Sequence, residues 1–260
     1  MTEVLGHRIV GVGSVRLILL NDWMSDTTSW DMCCPLIDKE RCSWAFIDLR
    51  GYGRSRTIPG VHTLSEAAAD VLRTADALGW ERFAVVGHSM SSLIALHLAQ
   101  IQPARIERVV VIAPPPPTGL GADDATLDYL RGVASGDSRQ RLAGLEMMWG
   151  DRLSPGWRAF KAARWQETAD PQAASDYVDM FAKHGLPEPA RPIHMPVLAV
   201  TGEQDAEVMR ADAVRTLLSP LCRNLFVQPI AESGHYPMQE APPLTFSCVE
   251  RFVLPADSGT

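Results

Sequence analysis

A chain of 260 residues, 46% of them hydrophobic, is long enough to bury one substantial core and still carry an inserted subdomain. Its formal net charge of -7 argues against nucleic acid or an anionic membrane surface as a partner. The stretch from Met1 to His7 has neither the basic start nor the apolar core of a signal peptide, and no apolar run approaches membrane-spanning length. The five cysteines form no Cys-x-x-Cys pair, so a cytoplasmic protein without a disulfide framework or a zinc cluster is expected.

The first twenty residues predict two short strands, Arg8 to Val12 and Val15 to Leu20, turned by Gly11-Val12-Gly13-Ser14. A polar loop from Asn21 follows, with several possible N-caps for a helix over Trp30 to Ile37. Ser43 to Ile47 reads as the next strand and runs into the glycine-punctuated loop Asp48-Leu49-Arg50-Gly51-Tyr52-Gly53-Arg54-Ser55. That loop lacks the spacing of a phosphate cradle, so a structural turn with an Arg50 ion pair is expected. Thr63-Leu64-Ser65-Glu66 is a capping box opening a helix that stops at Gly79.

Next comes Phe83-Ala84-Val85-Val86-Gly87-His88-Ser89-Met90-Ser91, after which apolar residues continue at helical spacing up to Pro103. A four-residue apolar run, a tight turn and a helix place Ser89 where free backbone N–H groups favour a developing negative charge. Ser89 is thus positioned as a nucleophile. After the strand Arg108 to Ile112 the alternation breaks at four consecutive prolines, and from about Ala122 to Leu186 only helical signals appear. They cover Thr126 to Val133, Arg139 to Trp149, Pro155 to Glu167 and Pro171 to His184. Alternation resumes with the strand Val197 to Val200, a helix over Val208 to Leu218, the strand Asn224 to Val227 and a closing helix over Pro243 to Val253.

Strands alternating with helices imply a doubly wound, mostly parallel sheet whose reactive groups gather at the carboxyl ends of the strands. A serine hydroxyl needs a base and an acid that orients that base. His235, in Ser233-Gly234-His235-Tyr236-Pro237 after the last strand, is the histidine placed to reach Ser89. Asp205 follows the strand Val197 to Val200 and is the expected acid, with Glu203 and Glu207 as rivals. The order Ser89, Asp205, His235 is the order expected on such a sheet.

Four motifs at these intervals, Gly87-His88-Ser89-Met90-Ser91, Asp48-x-Arg50-Gly51-x-Gly53-x-Ser55, Gly202-Glu203-Gln204-Asp205 and Gly234-His235, make the chain resemble the α/β-hydrolase family over nearly its whole length. The resemblance implies a core over residues 1–118 and 190–260 with an all-helical cap over 119–189. It also implies an oxyanion hole formed by the backbone N–H groups of Trp23 and Met90. Two positions depart from the family pattern: Asn21-Asp22 stands where His-Gly is usual, and Ser91 where the elbow normally has Gly. An ionised Asp22 close to an oxyanion would oppose it.

Trp149, Trp157, Phe160 and His88 are candidates for a pocket above Ser89. The expected activity is cofactor-free, metal-free hydrolysis of a small apolar or aromatic carboxylic ester or lactone through an acyl-enzyme. Its partner would be a small-molecule substrate, with no nucleic acid or membrane. The alternatives implied by the resemblance are a slow-turnover ligand receptor similar to strigolactone and karrikin receptors, a carbon–carbon bond hydrolase, and a cofactor-free dioxygenase.

Overall fold

The computed structural model describes residues 3–149, 152–188 and 190–254. Among the described residues, seven strands form one sheet: β1 (His7–Val10), β2 (Val15–Leu20), β3 (Cys42–Ile47), β4 (Phe83–His88), β5 (Ile106–Ile112), β6 (Val197–Gly202) and β7 (Leu225–Ile230). Their order is β1-β3-β2-β4-β5-β6-β7, and every neighbouring pair is parallel except β1 with β3. The first two strands therefore do not pair with each other, although the glycine turn between them is short. β2, β4 and β6 are nearly continuous apolar runs because helices cover both faces of a parallel sheet. At the edge, β7 alternates and tolerates Pro229, whose missing N–H costs nothing on an unpaired side.

Helices α1 (Leu64–Ala77), α2 (Ser91–Ile101), α7 (Ala211–Leu218), α8 (Pro237–Glu240) and α9 (Pro242–Val253) flank the sheet. Between β5 and β6 lie α3 (Asp124–Ser135), α4 (Ser138–Trp149), α5 (Pro155–Thr168) and α6 (Pro171–Val178), the last continuing as a wider turn over Asp179–His184. Asp123, Ser154 and Asp170 cap α3, α5 and α6 through their side chains.

The helix expected over Trp30 to Ile37 does not form. Asp26 caps only a short 3-10 turn over Thr27–Trp30, and the chain goes on through i to i+3 turns. Pro35 explains this, since its ring would clash with the carbonyl of residue 31 in a continuous helix. The segment read as one helix over Val208 to Leu218 is likewise divided, into a 3-10 turn over Glu207–Met209 and α7, with Arg210 in extended backbone between them. The capping box is half formed. Thr63 accepts from the Glu66 N–H, but the Glu66 carboxylate turns outward to the amides of Val61 and His62. Arg50 makes a two-pronged ion pair with buried Asp70, both bonds 2.8 Å, as the structural reading of its loop requires.

The inserted helices are fastened to the core's loops by polar contacts. The Trp23 indole donates to the Ala174 carbonyl at 2.7 Å, the Asp170 N–H to the Gly51 carbonyl at 2.7 Å, and His62 pairs with Asp176 at 2.8 Å. All five cysteines are unpaired. Among the described residues, no helix is long and apolar enough to cross a membrane.

Candidate active site

Ser89 sits in the turn between β4 and α2 with φ +53°, a left-handed conformation that costs a non-glycine residue about 1–3 kcal/mol. The surrounding backbone holds it there. The Ser89 N–H donates to the Ile112 carbonyl at the end of β5, and α2 starts at once behind it. Gly87 is required by this close approach, because a Cβ there would lie 2.3 Å from the Ser91 carbonyl oxygen. Ser91, in the position where the family pattern has glycine, folds its hydroxyl back onto the elbow. It accepts from the His88 N–H at 2.9 Å and donates to the His88 carbonyl at 3.0 Å.

His235 lies on the loop after β7, with its ring over Ser89. Its Nε2 is 2.9 Å from Ser89 Oγ, and its Nδ1 is 3.0 and 3.1 Å from the two oxygens of Asp205. Ser89, His235 and Asp205 thus form one hydrogen-bonded relay, assembled from the ends of β4, β6 and β7. Glu203 and Glu207, the sequence rivals of Asp205, take no part in it. With Asp205 ionised, Nδ1 carries the proton and Nε2 accepts from the serine hydroxyl. Burial alone would raise the Asp205 pKa, but His235 outweighs it and the carboxyl stays below its usual range. Burial would lower the pKa of His235, and here too the charge and hydrogen bonds of Asp205 prevail and raise it.

The backbone around the imidazole is pinned from several sides. Glu240 accepts from the N–H groups of Gly234 at 2.8 Å and Tyr236 at 3.0 Å, and Arg152 pairs with Glu240 in turn. His88 Nε2 donates to the His235 carbonyl at 2.7 Å. The His88 ring is fully buried and its pKa falls to about 4, chiefly through desolvation, so it is neutral near pH 7. Gly202 lets the histidine loop come close to the end of β6, since a Cβ there would meet the Gly234 carbonyl oxygen at 2.1 Å.

The loop after β2 is stitched by Asn21, whose amide donates to the Ser25 carbonyl and accepts from the Leu49 N–H, both at 2.8 Å. Asp22 is buried and accepts hydrogen bonds from the Tyr236 hydroxyl and, at 3.3 Å, from the Met24 N–H. Burial would raise the Asp22 pKa, yet Lys161, His88, Tyr236 and His235 together hold it below the ordinary value, so Asp22 is an anion. Neither the Trp23 nor the Met90 N–H donates to a protein acceptor among the described residues.

A cavity of about 300 Å³ opens onto Ser89 and His235. Trp23 and Met24 line it from the early loop, Pro115 and Leu120 from the segment after β5, Leu130 from α3, Phe181 from the turn after α6, and Val208 and Met209 from the segment after Asp205. Three of the four expected pocket residues are not in this wall. Phe160 is half exposed, His88 is buried behind the imidazole, and Trp157 packs edge-on against Tyr236 with ring centroids 5.8 Å apart. The side chain of Trp149 lies outside the described residues. A larger, more open groove of about 590 Å³ lies along residues 61–65 and 176–188 and does not include Ser89, Asp205 or His235. Among the described residues, no group of three or more His, Cys, Asp or Glu side chains is arranged to hold a metal ion.

Residues 17–247 match the sequence model of the alpha/beta hydrolase family. The chain belongs to this family. Among curated relatives, a pimeloyl-[acyl-carrier protein] methyl ester esterase from Serratia marcescens is 25% identical over 94% of this chain and 96% of its own. A serine hydrolase-like protein from Dictyostelium discoideum is 29% identical over 38% of this chain and 28% of its own. Solved alpha/beta hydrolase structures share the fold. The enol-lactonase from Burkholderia xenovorans superposes with a TM-score of 0.80 at 22% identity, covering 96% of both chains. A hydrolase from Oleispira antarctica gives 0.82 at 19% identity, covering 96% of this chain and 94% of its own.

Proposed function

We propose that this alpha/beta hydrolase is a serine hydrolase that cleaves a small, mainly apolar carboxylic ester or lactone through an acyl-enzyme. The observation that carries the reading is the unbroken relay from Ser89 Oγ through His235 to Asp205, at 2.9 and 3.0 Å, on the wall of a small apolar cavity.

In this mechanism His235 Nε2 takes the hydroxyl proton as Ser89 Oγ attacks the carbonyl carbon. The carbonyl electron pair moves to oxygen, and the oxyanion is received by the N–H groups of Trp23 and Met90. Asp205 stabilises the imidazolium that forms. As the tetrahedral intermediate collapses, the imidazolium protonates the leaving alkoxide, giving an ester on Ser89. Water, deprotonated by the same imidazole, then attacks that ester and releases the acid. The helices between β5 and β6, acting as a cap, keep the cavity apolar and dry, which strengthens every charge interaction inside it.

Methyl esters and enol lactones, named for two of the relatives, are natural first substrates together with short p-nitrophenyl esters. A fluorophosphonate probe is expected to label the protein at Ser89, and Ser89→Ala to lose labelling and at least a thousandfold in kcat while keeping its melting temperature. A Ser89→Ala protein that hydrolyses p-nitrophenyl butyrate at the parent rate would refute the assignment. Rapid multiple turnover separates an enzyme from a slow-turnover receptor.

A further inference from the structure

Lys161 has almost no contact with water, and burial lowers its pKa, opposed by the charges of Asp22 and Asp26 and aided by that of Arg164. It projects from α5, is 1% exposed, and its Nζ has no hydrogen-bond partner among the described residues. The ammonium lies 4.0 Å from the centroid of the Tyr236 ring, the residue next to His235. The hydroxyl of that same ring donates to Asp22, the residue next to Trp23. Lys161 and Arg164 are three residues apart on α5 and so share a face, which is turned toward the early loop. Arg164 pairs there with Asp26 at 3.2 Å. Asp22 is left as the buried anion that Lys161 faces across the phenol.

We propose that Lys161 is a positioning residue acting through Tyr236 and Asp22: its buried charge offsets that of Asp22, which would otherwise oppose the oxyanion forming beside it. This rests on the serine hydrolase reading above. A buried anion adjacent to the Trp23 amide repels a second negative charge far more strongly than it would in solution. A cation supplied from the helical insertion cancels that field only when α5 is seated on the core. The tyrosine between them keeps the two charges from collapsing into a direct pair, and its hydroxyl holds the Asp22 carboxylate. Asp22 has ordinary reasons to be ionised here, and the interaction with Lys161 is foremost among the favourable ones.

The prediction is that Lys161→Met lowers kcat about 10- to 100-fold on p-nitrophenyl butyrate with KM little changed, because the loss falls on the transition state. A second readout is the acid limb of the pH profile. His235 is faced by Asp205, Asp22 and Glu240, with His88 behind it, and Glu240 is paired by Arg152. Removing Lys161 leaves Asp22 free to favour the imidazolium, so the acid limb moves to higher pH. Asp22→Asn moves it to lower pH. Asp22→Asn combined with Lys161→Met is expected to recover most of the kcat lost in Lys161→Met alone.

Fluorophosphonate labelling of the parent at Ser89 tests the underlying reading separately. If the parent labels but Lys161→Met keeps the parent's kcat and acid limb, the proposal fails while the serine hydrolase reading stands. A double variant no faster than Lys161→Met would also overturn it. If the parent does not label, both fall. Should Lys161→Met not fold, Lys161→Gln is read in the same way: a lower kcat with a raised acid limb supports the proposal, and parent values of both refute it.

Discussion

In the proposed mechanism His235 is the base, and opposing effects set its pKa: burial favours the neutral ring, while Asp205, with smaller contributions from Asp22 and Glu240, favours the imidazolium and prevails. A base must be unprotonated to act, so a raised pKa places the acid limb of kcat/KM above the ordinary histidine value of about 6.5. Asp205→Asn removes the favourable charge and leaves the burial. Its acid limb is expected to fall below that of the parent, with kcat down about 10³- to 10⁴-fold as the ring loses its tautomer. A pH–rate profile of both proteins checks the direction, and a limb that rises in the variant would contradict it. The three residues of the relay were legible in the sequence because each has a local signature: the strand-turn-helix around Ser89, a strand end before Asp205, a glycine before His235. The network of Asp22, Tyr236 and Lys161 was not, although Asp22 stood out as a departure from the family pattern. Its members meet across a sequence separation of 214 residues, from Asp22 to Tyr236, and nothing in local spacing announces such a contact.

At the scale of the element, the elbow shows how a substitution for glycine is accommodated. Ser91 opens α2, and its hydroxyl satisfies the N–H of His88, which the turn of the chain at Ser89 would leave buried. Ser91→Ala is expected to cost about 1–3 kcal/mol of stability, the usual penalty for orphaning a buried backbone donor. Urea denaturation measures it, and an unchanged midpoint would show that the hydroxyl has no such role. Existence and type of the long elements followed from periodicity and caps, as in α3, α5 and α6. The failures were local. Pro35 stopped a helix that the apolar residues from Trp30 onward suggested, and Arg210 broke another into two. The edge strand β7 ran further than its apolar residues, since a sheet edge accepts Pro229 and charge-free polar positions that an inner strand would not.

For the whole molecule, the cavity links the fold to substrate choice. Its wall is drawn from both layers, with Leu130 and Phe181 from the inserted helices and Met24, Val208 and Met209 from the core loops. Trp157 and Phe160, which the sequence singled out for the pocket, lie elsewhere, one against Tyr236 and the other half exposed; Trp165 is fully buried with its ring 5.1 Å from Trp23, bracing the early loop from behind. Apolar residues at helical spacing read alike whether they face a neighbour helix or a substrate, so the sequence could not tell the two apart. On the proposed function, a cavity of about 300 Å³ would take short acyl groups, and Asp22 and Asp205 on its wall would disfavour a second carboxylate in the substrate. Leu130→Ala should widen the cavity and raise kcat/KM for branched or longer acyl p-nitrophenyl esters relative to the acetate, by about tenfold per added methylene accommodated. Val208→Trp, at the partly exposed rim, should shift the ratio the opposite way without the loss of stability that truncating buried Leu130 brings, about 2–5 kcal/mol. Comparing the two variants on one ester series separates pocket shape from stability: if both shift the preference in the same direction, or neither does, these walls do not contact the acyl group.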